Sequence, residues 1–426
     1  MERKKLRILW TVNLIPRPFA EKTGAGKSVL GGWVEAMAEQ VGKDKSFELA
    51  IACKCDLPEK RFEEIDGVKY YTLNYPKRRA EAELLKRCEE IADDFKPDII
   101  HIEGTEFLHS KVMLSVAKKR GIKNVVSAQG ILNGQYDYQC GQLPIDDFIF
   151  SASPTKIFAG WVLHLRKTRW YKPRMKTERE VLKAADNFLG RTTWDRAHLY
   201  ALNPDAPYYL CRRNLRQPFY EKDWNLQGVE KHSIYVGNGY FALKGLHYML
   251  MAMPMLVKEY PDVKLYVAGV SPLEKRDRRP IFKRGYSAYL GKLIKDLGIG
   301  DHVVFTGPLK AEEVAERLSK THVYALTSSI ENSPNTLGEA MMIGTPCIAS
   351  YVGGVPDMAT DGKEALFYRN DDPVLLAWNV KKIFDDDSLA LSLSENARAR
   401  ARINHDAALN YGDLLKAYEK IFKGER

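Results

Sequence analysis

Two carboxylates, Glu331 and Glu339, stand eight residues apart in the stretch ENSPNTLGEAMMIGTPCIAS, residues 331–350. The spacing crosses what reads as a loop entering a helix. Ser333 is a good N-cap and Pro334 suits the first helical position, so the helix is expected to begin near Asn335. Its first free backbone N–H groups, on Asn335 and Thr336, would then face outward as an anion site with the helix dipole behind them. Glu339 follows Asn335 by four and Thr336 by three, so its carboxylate shares their face one turn further on. A phosphate at the tip, with a hydroxyl-bearing ring beside Glu339, is a nucleotide-sugar geometry. Glu331, on the loop, is placed to meet whatever lies beyond the phosphates.

A second motif is SIYVGNGYFALKGLHYML, residues 233–250. An apolar strand ends at Gly237, a glycine-containing loop follows, and Lys244-Gly245 precedes an apolar helical run. A lysine beside phosphate oxygens is a compact charge that offsets leaving-group charge as a bond breaks. Alone, Lys244 reads equally well as a solvated surface lysine, and the 331–339 element as an ordinary amphipathic helix with surface glutamates. Together they favour one site.

The 331–350 stretch resembles the donor-binding motif of the retaining glycosyltransferases of family 4, which have the GT-B fold (glycosyl transferases group 1). The pattern is Glu, seven residues, Glu, then Ala-Met and a Gly-Thr-Pro turn, matched by Glu331, Glu339, Ala340, Met341, Gly344, Thr345 and Pro346. Gly353, Gly354, Val355, Pro356 and Asp357 extend the match after a short apolar strand. The resemblance implies that Glu339 binds the ribose hydroxyls and Glu331 the hexose hydroxyls. Asn335, Thr336 and Leu337 would present backbone amides to the phosphates, and Lys244 would balance their charge. Family members also carry an Arg just after the strand glycine Gly237. Here Asn238 and Gly239 occupy that place, so Lys244 and backbone amides, or an arginine from elsewhere, are left to hold the diphosphate.

These motifs need parallel sheets to position them, and the rest of the chain reads that way. Short apolar runs alternate with amphipathic segments, the pattern of βα units. Strands are expected at residues 7–14, 47–52, 99–102 and 124–127, then at 233–236, 264–268, 302–306, 323–326 and 346–350. The stretch 209–230 lacks clean periodicity and is taken as a domain boundary. The expected organisation is α/β: residues 1–215 as an acceptor-side Rossmann-like domain and 216–404 as the nucleotide-sugar domain. The GT-B resemblance implies that these two face a central cleft and that a helix in 405–426 crosses back to the N-terminal domain.

In the N-terminal half, the first strand runs into a loop with Gly24, Gly26, Gly31 and Gly32, then a helix from about Trp33. TGAGKS at 23–28 mimics a P-loop but fails, because Glu21 stands where that pattern has its first glycine. Gly31-Gly32 at the helix start is similar to the family's Gly-Gly, where missing side chains let backbone N–H groups approach phosphate. The alternative is loop punctuation. After the strand at 124–127, many relatives have a His-Gly whose His lies near the reacting sugar carbon. Gln129 stands there instead. An amide can hold a sugar hydroxyl, and in this kind of transfer the leaving diphosphate oxygen can itself accept the acceptor's proton. His101 and Glu103 end another strand and are further candidates for sugar contacts, with a structural role as the plainer alternative.

The 426 residues carry a formal net charge of +10, with 45% hydrophobic and 28% charged residues, ordinary for a soluble protein of two or three domains. Residues 164–183 hold eight Lys/Arg against two Glu, just after the apolar run 157–163. Such a pairing over 157–183 suits docking on an anionic membrane, where lipid-linked acceptors reside, or else a solvated helix beside buried core. No nucleic-acid-binding pattern interleaves aromatics with these cations. The basic start and short apolar run at the N-terminus mimic a signal peptide but lack a cleavage site, so a first strand is the better reading. Six scattered cysteines fit neither a disulfide framework nor a zinc site, which implies the cytoplasm, with any membrane contact on its inner face. No metal or other cofactor is expected.

The combined expectation is a retaining, metal-independent hexosyltransferase. It would move a sugar from a nucleotide diphosphate, UDP as the working choice, to a glycan or lipid-linked hydroxyl in cell-surface polysaccharide or glycoconjugate synthesis. Glu331, Lys244 and Gln129 are the candidate catalytic residues. Gly31, Gly32, Gly237, Lys244, Glu331, Asn335, Thr336, Leu337 and Glu339 are the candidate donor-binding residues. A GT-B epimerase acting without an acceptor, a pyridoxal-dependent phosphorylase and a non-catalytic nucleotide-sugar-binding protein are the rivals.

Overall fold

The computed structural model describes residues 5–25, 32–55, 57, 61–74, 80–143, 154–239, 241–271 and 281–425. The chain splits into two compact units. One comprises Met1–Gly134, Tyr171–Asn214 and Asp406–Arg426, and the other Gln135–Trp170 and Leu215–His405.

The first unit is built on an eight-stranded sheet: β1 (Leu6–Val12), β2 (Phe47–Cys53), β3 (Phe62–Ile65), β4 (Val68–Thr72), β5 (Ile99–Glu103), β6 (Lys123–Ser127), β7 (Phe188–Gly190) and β8 (Tyr208–Leu210). Their spatial order is β3-β4-β2-β1-β5-β6-β7-β8. β1 shows why the sequence reads as one apolar run. Ile8, Trp10 and Val12 join a core that includes side chains of the helices Gly32–Lys43 and Ala407–Lys423. Leu9 joins the other core, under the helices Ala80–Phe95 and Leu108–Arg120. A strand covered on both faces has no polar side to alternate with. Among the described residues of this sheet the one antiparallel strand pair is β3–β4, joined by Asp66 at φ 50° and Gly67 at φ 77°. Two positive-φ residues give the tight hairpin turn whose twist matches that of the strands.

The last helix, Ala407–Lys423, belongs to this first unit, as the resemblance implied. Tyr418 is fully buried and joins three elements: Trp10 Nε1 donates to its hydroxyl at 2.8 Å, and His101 Nδ1 lies 2.6 Å from the same oxygen. His101 is therefore a buried packing residue of β5.

The second unit has a six-stranded, all-parallel sheet: β9 (Glu230–Val236), β10 (Lys264–Val267), β11 (Val303–Phe305), β12 (Thr321–Leu326), β13 (Cys347–Ser350) and β14 (Leu366–Tyr368). Its order, β11-β10-β9-β12-β13-β14, reverses direction between β9 and β12. Among the described residues no helix is long and apolar enough to cross a membrane, and none of the six cysteines is joined in a disulfide.

Candidate functional site

In an open parallel sheet, the loops leaving the strands on either side of the order reversal diverge to opposite faces. The crevice between them, at the carboxyl ends, is where ligands bind. In the second unit those strands are β9 and β12. β9 delivers Gly237 and the turn Ala242–Lys244; β12 delivers residues 327–334 and the helix Asn335–Ile343. The two motifs singled out in the sequence are therefore neighbours because the sheet order makes them so.

The β9 and β12 loops are fastened to each other. Thr327 Oγ1 donates to the Lys244 carbonyl at 2.7 Å, and Ser329 N–H donates to the Leu243 carbonyl at 2.8 Å. Across this seam Lys244 Nζ meets Glu331 Oε1 at 2.5 Å, and Ser328 Oγ donates to the same oxygen at 2.6 Å. Glu331 is buried with its carboxylate paired. Its backbone is held as well: Gly354 N–H donates to the Glu331 carbonyl at 3.0 Å, and Gly353, at φ +49°, packs where a Cβ would strike that same oxygen. The Gly353-Gly354 turn after β13 is thus a brace for Glu331.

The helix start differs from the expectation in its cap. Pro334 itself is the N-cap residue and no side chain caps the helix. Ser333 Oγ instead points to Met358 Sδ at 3.7 Å, because Pro334 has ψ 114°, an extended value, and so stands just outside the helix rather than at its first position. The Pro334 carbonyl accepts from Leu337 N–H at 3.1 Å and Gly338 N–H at 3.3 Å. Leu337 is therefore corrected out of the expected anion-binding set, which leaves Asn335 and Thr336, whose N–H groups come too early for an acceptor within the helix. Asn335 is exposed and Thr336 half-buried. Gly237 abuts this tip, since a Cβ built on it would lie 3.5 Å from Thr336 Cγ2.

One turn on, Glu339 is buried, and its Oε1 accepts from Arg216 Nη2 at 2.8 Å and Nε at 3.2 Å. Burial pushes the Glu339 carboxyl above its ordinary pKa, and the Arg216 guanidinium opposes that rise. Arg216 is the residue that sequence reading missed. It was visible only as part of a basic run in an aperiodic stretch, 123 positions from its partner.

Gln129 and Gly32 belong to the first unit. Gly32 opens the helix Gly32–Lys43; Gly26 and Gly31 lie outside the described residues. Gln129 follows β6, and its Nε2 donates to Glu103 Oε2 at 3.4 Å while its backbone carbonyl accepts from Arg191 Nη2 at 2.5 Å. Arg213 Nη2 reaches Glu103 Oε2 at 3.0 Å. Burial drives the Glu103 carboxyl up, but the Arg213 charge and then His101 outweigh it and hold the pKa at about 2. Gln129 is thus anchored at the carboxyl end of β6, beside an ionised, buried carboxylate.

With this geometry established, known proteins provide the comparison. The family model described as "Glycosyl transferases group 1" matches residues 217–400. The D-inositol 3-phosphate glycosyltransferase of Corynebacterium urealyticum is 29% identical over 183 residues, 42% of this chain. That match spans 40% of the relative's own length. Sucrose-phosphate synthase from Thermosynechococcus elongatus superposes with a TM-score of 0.73 at 17% identity, over 99% of this chain and 100% of that one. Anabaena HepE in complex with UDP gives 0.65 at 13% identity, over 97% and 100%. At such identities the structural likeness speaks for the fold, the GT-B architecture of two parallel-sheet units.

Proposed function

We propose, on the premise that this chain belongs through residues 217–400 to the group 1 glycosyl transferases, that it moves a sugar from a nucleoside diphosphate to a hydroxyl of an acceptor with retention of anomeric configuration. The observation that carries this reading is the pair of buried glutamates flanking an open helix tip at the sheet's order reversal, each with a cation on it.

In the proposed complex, Asn335 and Thr336 N–H groups bind the diphosphate, Glu339 accepts from the ribose hydroxyls and Glu331 from the hexose hydroxyls. Lys244 exchanges its Glu331 partner for phosphate oxygens and neutralises charge on the departing diphosphate. The acceptor oxygen bonds to the anomeric carbon as the carbon–phosphate oxygen bond breaks, and the acceptor's proton passes to that leaving oxygen on the same face. No metal is needed, since Lys244 and the helix amides supply the positive charge. Gln129 is proposed to offer its amide to a sugar hydroxyl.

UDP is the working donor, supported by the complex formed by one structural neighbour. A glycan or lipid-linked acceptor remains the proposed class. For the latter, Lys172, Lys176, Arg179 and Lys183 are exposed on the helix Pro154–Ala184 and suit an anionic surface.

The test is a thermal-shift panel of UDP, GDP and ADP sugars on the parent and on Glu339→Ala. A donor at a hundredfold its Kd adds about 2.7 kcal/mol to the parent, and the Ala variant is expected to lose that response. Equal stabilisation of both proteins would remove Glu339 from the site. Turnover is then sought by NMR with the selected donor, alone and with oligosaccharide or lipid extracts. Sugar transfer only in the presence of extract supports the reading, epimerisation of donor alone selects the epimerase, and binding without either selects the non-catalytic rival.

A further inference from the structure

The turn Ala242–Lys244 ends at Gly245 with φ +67° and is too short to hold its own shape. The β12 loop secures it through Thr327 and Ser329, as described. A second segment, far from both motifs in sequence, reaches the same turn. Gly141 has φ +63°, and a Cβ there would collide with the Ala242 carbonyl and lie 2.8 Å from His247 Cε1. Only glycine accepts both the dihedral and the approach.

The Gly141 carbonyl is gripped by the two residues that follow Lys244-Gly245-Leu246. His247 Nε2 lies 3.1 Å from it and Tyr248 Oη donates at 2.9 Å. A carbonyl only accepts, so His247 carries its proton on Nε2. Its Nδ1 then accepts from Tyr286 Oη at 2.9 Å. Burial holds the His247 pKa down at about 4, so this arrangement is the neutral one at pH 7. The segment is also seated by its neighbours. Leu143 is buried in the core that contains Ala242 and Leu246, and Asn370 donates to Gln142 Oε1.

We propose that residues 140–143 form a positioning segment that sets the Ala242–Lys244 turn, and with it the place of the Lys244 ammonium at the diphosphate. Gly141, His247 and Tyr248 act through Lys244 and touch no substrate. The proposal rests on the assignment of Lys244 to the diphosphate.

Calorimetric titration of the full chain with UDP, GDP and ADP selects the diphosphate that binds most tightly, which is then compared with its monophosphate. Tyr248→Phe keeps the ring and removes one donor to Gly141, and is expected to weaken the diphosphate roughly fivefold, the loss of an ordinary hydrogen bond. Gly141→Ala is expected to weaken it on the order of tenfold through the displaced turn. Monophosphate affinity stays unchanged in both. Because the effect runs through one ammonium, Tyr248→Phe in a Lys244→Ala background adds nothing further. Equal losses for diphosphate and monophosphate, no loss, or losses that add to Lys244→Ala would each overturn the proposal. If Gly141→Ala does not fold, Tyr248→Phe decides. Lys244→Ala alone is the separate check. If it leaves the ratio of the two affinities unchanged, the assignment of Lys244 fails, and this proposal with it. If that variant behaves as assigned while Gly141→Ala and Tyr248→Phe match the parent, only the positioning role fails. If none of the diphosphates binds the unaltered protein, the proposed function fails first.

Discussion

Glu339 is buried, and in the proposed site it must nonetheless be charged to accept hydrogen bonds from two hydroxyls. Its folded pKa lies above the ordinary carboxylate value because burial outweighs Arg216. The sign follows from linkage: protonated Glu339 favours the folded state, a contribution complete below the ordinary carboxylate pKa and lost as pH rises through the raised one. Nucleotide binding has the opposite dependence, since it needs the anion. Affinity for the nucleoside diphosphate is therefore expected to decline as pH falls through the raised pKa. In Arg216→Leu the midpoint moves to higher pH, because the opposing cation is gone. Titration calorimetry over a pH series checks both, and an unshifted midpoint in Arg216→Leu would mean that Arg216 does not tune Glu339. Arg216 itself shows the limit of reading residues singly: charge and spacing mark Glu339, but nothing local says which of 65 Lys/Arg faces it.

At the scale of elements, the β13 loop explains a glycine pair that the motif marks without a reason. Gly353 approaches the Glu331 carbonyl too closely for a Cβ at φ +49°, whereas Gly362 has φ +73° with nothing within 4 Å of the built Cβ. Comparing the two separates backbone strain from collision. Gly362→Ala is expected to cost about 1–2 kcal/mol, the left-handed penalty alone. Gly353→Ala should cost clearly more in urea unfolding and should also weaken sugar binding, because it displaces the backbone of Glu331. Equal costs, with sugar binding intact, would show that the turn does not brace Glu331. The elements that sequence periodicity did not reveal are β3, β4, β7, β8 and β14. All five are three to five residues long, short enough for alternation to go unregistered. The Asp66-Gly67 turn was a usable hairpin signal for β3 and β4.

At the scale of the whole molecule, the chain's last helix completes the first unit's core rather than ending as a tail. Leu414, Ala417, Tyr418 and Ile421 are buried in one cluster with Ile8, Trp10 and Val12. Tyr418→Phe removes the shared partner of Trp10 Nε1 and His101 Nδ1 and is expected to cost about 1–3 kcal/mol, the penalty for a buried group left unsatisfied. Removing residues 406–426 exposes that apolar face and is expected to leave the protein insoluble. Chemical denaturation of the point variant and solubility of the truncation check these outcomes. A truncation that stays monomeric with unchanged stability would mean that the helix is dispensable.

The class of the fold, the strands that matter and the nearness of Lys244 to the 331–339 element followed from the chain alone. Apolar period, glycine placement and residue spacing are local properties, and a parallel sheet repeats them in order. What the tertiary structure decided was which charge faces which. Arg216 on Glu339, Glu331 on Lys244 and the Gly141 carbonyl on His247 and Tyr248 join positions 123, 87 and about 106 residues apart. Such contacts depend on where sheet order and loop closure bring the backbone, and no periodicity in the sequence encodes that distance.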